Sequence, residues 1–168
     1  MNGNCHFIFG ACTGVTTSLL LNAPPTTTAL LVSTCLIGSI FPDIDNPKSH
    51  FGQLTKPVSS LIGKTHEFLG REEYEHRGIF HHFEVWLGLF FLSLLYFPYL
   101  LGFFVGGLSH LLLDSFNPLG IPVLVSRIRL RLARIRSGST GSICVTAVLS
   151  FVMAMAGVLC RIEGITIL

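Results

Sequence analysis

Apolar residues along this chain gather into long stretches separated by polar punctuation, and the stretches read as helices. The first runs from about Phe7 to Leu21 and closes on Asn22-Ala23-Pro24-Pro25; the second runs from about Thr26 to Phe41 and stops at Pro42. Apolar sequence resumes from Phe83 to Leu113. One helix of that length would measure about 46 Å at 1.5 Å per residue, more than the roughly 30 Å hydrocarbon slab of a bilayer requires. Pro98, with Tyr96, Phe97 and Tyr99 beside it, favours a turn, because proline punctuates helices and aromatic residues favour the membrane interface. A hairpin of two short helices is therefore expected, in a thin or partly submerged bundle. A fifth helix is expected from Ile143 to Cys160.

Composition agrees with the pattern. The 168 residues have 12% charged side chains and a mean hydropathy of +0.66, far from a soluble balance and long enough for one domain, residues 1–168. The expected fold is all-α, an integral membrane bundle of about five apolar helices with polar loops on one face. The first stretch has no basic run before it, and Asn22 to Pro25 only loosely resembles a cleavage site, so it reads as mature helix and not as a signal peptide. The five cysteines, Cys5, Cys12, Cys35, Cys144 and Cys160, sit in apolar surroundings without a Cys-x-x-Cys pair and read as buried small hydrophobes.

Charge is what gives the bundle a direction. Residues 42–82 carry Lys48, Lys56, Lys64, Arg71, Glu72-Glu73 and five of the seven histidines, and five arginines crowd between Arg127 and Arg136. Alternate threading of the five helices puts His6, Asp43, Asp45, His76, His81, His82, His110, Asp114 and the arginine loop on one face, with Arg161 left on the other. By the positive-inside tendency the motif face is cytoplasmic, with the amino terminus inside and the carboxyl terminus outside. The arginine loop, directly beside apolar helices, reads as a topology anchor meeting anionic lipid and not as a nucleic-acid surface.

Three motifs on that face carry chemistry. His110 and Asp114 are four apart, so on a helix they project from one face, close enough to hold one ion or two adjacent ions. The plainer alternative is an aspartate emerging into headgroups and a histidine bonded to a backbone carbonyl. Phe41-Pro42-Asp43-Ile44-Asp45 puts two carboxylates two residues apart, pointing the same way if the segment is extended, or else forms a turn. His76-Arg77-Gly78-Ile79-Phe80-His81-His82 brings two histidines, five apart, into a helix, with Arg77 able to meet a substrate anion or a lipid headgroup. His82 would point about 100° away from His81 and lie behind the site or at the surface; His50 and His66 read as solvated.

Together these residues resemble the YdjM family of membrane-bound metal-dependent hydrolases. The likeness rests on His6 and Gly10, Pro42-Asp43-Ile44-Asp45-x-Pro47-x-Ser49, His76-Arg77-Gly78-x-x-His81, Ser109-His110-x-x-x-Asp114, Pro118-x-Gly120 and the basic stretch ending in Arg136-Ser137-Gly138-Ser139. Such membership implies metal ligands at His6, Asp43, Asp45, His76, His81, His110 and Asp114. More distantly, the His-x-x-x-Asp pair is similar to those of zinc-dependent phospholipases C. Phe80 and His82 depart from the family pattern, which has hydroxyl residues there, and no acidic residue stands near Ser142.

The function expected is a multi-pass inner-membrane hydrolase in which a divalent ion activates water for attack on a phosphoester or lipid-like ester. Zinc is the first candidate, manganese or iron(II) the alternatives, and the site is mononuclear or dinuclear. Asp43 or Asp45 would bridge or act as general base, with Asp45 the candidate base, and Arg77 would stabilise charge on substrate oxygens. Membrane lipids are the expected partners and nucleic acid is not. A metal carrier would need ionisable groups near the bilayer midplane, where only Thr16, Thr17, Ser33, Thr34 and Ser93 lie. A structural metal would be saturated by four protein ligands.

Overall fold

Proline and small polar residues set the helix ends. In the computed structural model, which describes residues 1–46, 49–61, 79–123 and 128–165, α1 spans Gly3–Leu20 and α2 spans Pro25–Ile40. Asn22, in the left-handed region at φ 52°, turns the chain between them, and Pro25 opens α2 where a missing N–H costs nothing. A 3-10 turn, Phe41–Asp45, prolongs α2, and α3 follows at His50–Leu54 with helical residues at 56–61. A second 3-10 turn, Ile79–His81, leads into α4, Phe83–Tyr96. The chain reverses through the 3-10 turn Pro98–Leu100 into α5, Leu101–Ser115, so the hairpin expected around Pro98 is formed. Helix α6, Thr140–Ile162, begins at Ser139, whose Oγ accepts the Ser142 N–H at 3.3 Å.

Three features that the sequence left open or placed differently have local causes. Helix α1 starts at Gly3, so His6 lies inside its first turns instead of ahead of them. The Phe41–Asp45 run is not extended: Pro42, at the head of the turn, fixes φ near the helical value, and the chain coils on past the end of α2. Finally, the polar segment 117–142 is not wholly loop, because β1 (Ile121–Pro122) pairs antiparallel with β2 (Arg129–Leu130).

Two helical runs, Pro25–Ile44 and Thr140–Ile162, are long and apolar enough to cross a membrane. At 1.5 Å per residue their 20 and 23 residues reach about 30 and 35 Å, against about 21 Å for the 14 residues of α4. Polarity on α6 is inverted relative to a soluble helix. Its buried residues are Ser142, Thr146, Ser150 and Gly157, while Ile143, Val148 and Phe151 are 61%, 61% and 68% exposed. Small residues inside and large apolar ones outside is the arrangement of a helix bathed in lipid.

The same economy of side chains lets the backbones of α1, α2 and α5 approach. A Cβ on Gly38 of α2 would meet the Phe103 backbone carbonyl of α5, and one on Gly106 of α5 would meet the Cys35 carbonyl. A Cβ on Gly10 of α1 would strike Ser39. Helix α2 thus lies against both α1 and α5, and its carboxyl end is held between the two segments that carry His6 and His110. All five cysteines are free.

Candidate metal centre

Four separate segments converge at the end of the bundle where α1 starts and α5 finishes. His6 comes from α1, Asp43 from the turn after α2, His81 from the turn before α4, and His110 with Asp114 from α5. Their donor atoms form two overlapping triads, His6/His110/Asp114 and Asp43/His81/His110, in each of which all donors lie within 4.8 Å of one another. The imidazoles of His6 and His110 stack, with centroids 3.8 Å apart and planes inclined by 13°, while His81 meets His110 edge-on at 5.4 Å.

The carboxylate of Asp114 joins the triads through its two oxygens. Oδ1 lies 3.4 Å from His6 Nε2, accepts the Asn117 amide at 2.7 Å and takes the Met1 ammonium. Oδ2 lies 3.7 Å from His110 Nε2 and 3.9 Å from His81 Nε2. Asp43 Oδ1 stands 3.8 Å from His110 Nε2 and 3.7 Å from His81 Nε2. The His6–Asp114 pair at 3.4 Å is within reach of a long hydrogen bond, while the 3.7–3.9 Å pairs are beyond one; all of them suit two ligands on one cation, each about 2.0–2.2 Å from it.

His110 decides which nitrogen is available. Its Nδ1 lies 2.7 Å from the Ser39 carbonyl, and since a carbonyl only accepts, Nδ1 carries the proton. Nε2 then holds the lone pair, is buried, and has no hydrogen-bond partner among the described residues. Nδ1 of His6 is likewise buried without one. An orphaned imidazole lone pair facing two carboxylates is a donor set that fits a divalent cation, with the carbonyl fixing the tautomer as such partners do for histidine ligands. Because His110 offers one lone pair, only one ion can take it, and the two triads share that ligand.

The sequence matches the family model described as YdjM inner membrane protein over residues 1–166. The chain belongs to the YdjM family. Among curated relatives, Inner membrane protein YdjM of Escherichia coli K12 is 32% identical over 102 residues, covering 56% of this chain and 48% of that protein, and its Shigella flexneri counterpart matches equally. The chain thus spans about half the length of these two. Uncharacterized protein YvsG of Bacillus subtilis 168 is 29% identical over 140 residues, 79% of this chain and 78% of the relative. No solved structure matches.

Of the YdjM motif residues, the structure brings together His6, Asp43, His81, His110 and Asp114. His76, Arg77 and Gly78 lie outside the described residues, as do His66 and the side chains of Asp45 and His50. His82 is buried, so the surface alternative for it does not hold, and it belongs to neither triad. Ser49 of the motif holds the Asp43 turn against α3, because its Oγ donates to the Asp43 carbonyl at 2.8 Å and accepts the Gly52 N–H at 2.8 Å.

Four residues at or behind the site carry no signal of their own in the sequence: Met1, Ser39, Asn117 and Trp86. Asn117 is the most readable of them, three residues beyond Asp114 across a helix end. Trp86 is buried against Gly107, where a Cβ would enter its ring, and its Nε1–H donates to the Phe80 carbonyl at 2.7 Å. The Phe80 ring meets Phe41 edge-on at 5.4 Å. Phe80 therefore ties the His81 turn to the segment leading into Asp43. Trp86→Phe, which keeps the ring stack and removes the donor, is expected to weaken metal binding by about 10–100-fold with little loss of helix content, read by metal titration and circular dichroism.

An open cavity of about 900 Å³ adjoins the donors. Asp43, His81 and Asp114 line it, with amides and hydroxyls (Asn46, Asn117, Ser137) and apolar residues (Phe7, Phe51, Leu54) around them. The arrangement can hold a cation and still leave one side accessible.

Proposed function

We propose that this YdjM-family chain is a multi-pass membrane hydrolase of phosphoesters or lipid-like esters that works with a divalent ion, zinc first and manganese or iron(II) next. The observation that carries the reading is that three donors of the His/Asp cluster, Asp43, His81 and Asp114, lie on the wall of an open cavity of about 900 Å³, with His6 and His110 buried behind them. A purely structural ion is closed in by protein ligands, whereas a catalytic one keeps a position open. A divalent ion bound there supplies Lewis acidity and lowers the pKa of its water to about 7.

The chain's own residues do the rest. His110, buried behind the cavity, is oriented by the Ser39 carbonyl, and Asp114, on the cavity wall, by the Asn117 amide, so the donor atoms of both are already aimed. Asp43 or Asp45 takes the proton from the attacking water, and Arg77 meets the charge that develops on substrate oxygens. His76 and Asp45, ligands by the family motif, would complete the set. The cavity's mixed lining suits an amphiphile, with amides and hydroxyls for a polar head and Phe7, Phe51 and Leu54 for an acyl stem.

Five apolar helices form the bundle, with the site at the cytoplasmic face of the inner membrane. The exposed apolar surface of α6 supports embedding, and the arginines of residues 127–136 support the orientation. Among the described residues, the hydroxyls of Thr17, Thr34 and Ser93 speak against a carrier path, since each bonds a carbonyl of its own helix at 2.7 to 2.8 Å, while Thr16 Oγ1 and Ser150 Oγ are buried without a bond. The test is hydrolysis of phosphodiester, phosphomonoester and carboxylic ester substrates by the purified chain before and after chelation. Turnover lost with the chelator and restored by zinc or manganese is expected; metal-loaded protein inert on every class would overturn the hydrolase reading and leave a carrier or structural ion.

A further inference from the structure

We propose that residues 128–136 form a docking surface for anionic bilayer lipid, which seats the cavity mouth on the headgroup layer. This goes beyond the hydrolase reading and does not depend on it. The segment contains Arg129, Arg131, Arg134 and Arg136 and no acidic residue. Between the first arginines stand Ile128, Leu130 and Leu132, which are 67%, 45% and 63% exposed. In an extended run neighbours alternate sides, so one side of residues 128–132 is aliphatic and the other cationic. Among the described residues, strand β2 pairs only with β1 in a two-stranded sheet, and no further strand there covers it.

What covers this ribbon must be apolar and anionic at once. The interfacial zone of a bilayer containing anionic phospholipid meets both demands: the aliphatic side enters the acyl boundary, and the long arginine stems carry their guanidinium groups back to the phosphates. A groove of about 620 Å³, lined by Arg129, Arg131, Leu132, Ala133 and Arg134, gives a phosphate headgroup room beside three cations. Single-stranded nucleic acid favours aromatic stacking platforms, and residues 128–136 hold no aromatic side chain.

The ribbon is also fixed relative to the site. Leu132 N–H donates to the Ser115 carbonyl at 2.8 Å and Ile135 N–H to the Phe116 carbonyl at 2.9 Å, directly after Asp114. Arg129 Nη1 donates to the carbonyl of Leu119 at 3.2 Å, and Leu119 itself lines the large cavity. Lipid held by the arginines therefore lies at the rim of the cavity that reaches Asp114.

The test uses the full chain carrying Leu132→Trp, whose background is small because the one native tryptophan, Trp86, is buried. It is reconstituted into nanodiscs of phosphatidylcholine with rising fractions of acyl-brominated phosphatidylglycerol or, separately, brominated phosphatidylcholine. Tryptophan quenching is expected at a several-fold lower fraction of the anionic lipid. Adding Arg131→Gln and Arg134→Gln is expected to bring that preference to near unity while leaving Trp86 emission unchanged. Ile128→Trp, on the same side of the ribbon, gives a second probe should the first disturb folding. Quenching by neither lipid, equal quenching by both in the parent chain, or a response to DNA or an acidic polypeptide in place of lipid would each overturn the proposal.

Discussion

Asp114→Ala is expected to leave the purified chain without bound metal at concentrations that saturate the unaltered protein, a loss of more than about 100-fold in affinity. That exceeds what removing a mere supporting partner of a ligand costs. The reason is connectivity: Asp114 approaches His6 through one oxygen and His81 and His110 through the other, so its deletion takes the carboxylate from the His6/His110/Asp114 triad and an anion from beside His81 and His110 of the second. Asp114→Asn separates charge from shape. It keeps the volume and a route to Asn117 but not the anion, and it is expected to lose metal nearly as completely. Helix content should persist in both, because the contacts among α1, α2 and α5 are apolar and glycine-mediated and do not pass through this carboxylate. Metal analysis beside circular dichroism checks it; full metal content in either variant would remove Asp114 from the site.

Gly106→Leu is expected to disable the site from a position that offers no donor at all. Its Cβ would collide with the Cys35 carbonyl and stand 2.9 Å from the Ser39 nitrogen, both backbone atoms of α2 that cannot rotate away. The helices must separate, at a cost of about 1–3 kcal/mol or more. Separation pulls the Ser39 carbonyl from His110 Nδ1, which frees the imidazole to turn its lone pair aside. Metal affinity should fall by at least about 10-fold. Gly88→Leu on α4, where an added Cβ meets nothing within 4 Å, is the matched control and should change neither metal content nor thermal stability appreciably. Equal behaviour of the two variants would contradict the close-approach explanation.

The sequence is most legible where local rules act alone. Apolar stretches bounded by Pro25, Pro42 and Pro98 mark the helices, and four-residue spacing puts His110 and Asp114 on one helix face. Less legible is everything that depends on two segments meeting. Nothing in Ser39 as a residue announces that its carbonyl orients a histidine 71 positions away; only the glycine contacts among three helices create that approach. Trp86 reads as an ordinary apolar residue until its N–H is seen on the Phe80 carbonyl. Around Asp43, the spacing of the carboxylates leaves an extended chain and a turn equally open, and Pro42 at the end of a helix decides for the turn. The outward apolar face of α6 is visible as hydrophobicity, but its inward stripe of Ser142, Thr146 and Ser150 takes meaning only from the packing against α1.

X-ray absorption at the metal edge of the purified full chain tests the central claim most directly. The account predicts a bound divalent ion whose nearest neighbours are imidazole nitrogens and carboxylate oxygens at about 2.0–2.2 Å, with outer-shell imidazole scattering and no sulfur. A shell of thiolate sulfur near 2.3 Å, or oxygen alone without imidazole, would contradict it, because His6, His81 and His110 would then not be gathered around the cation.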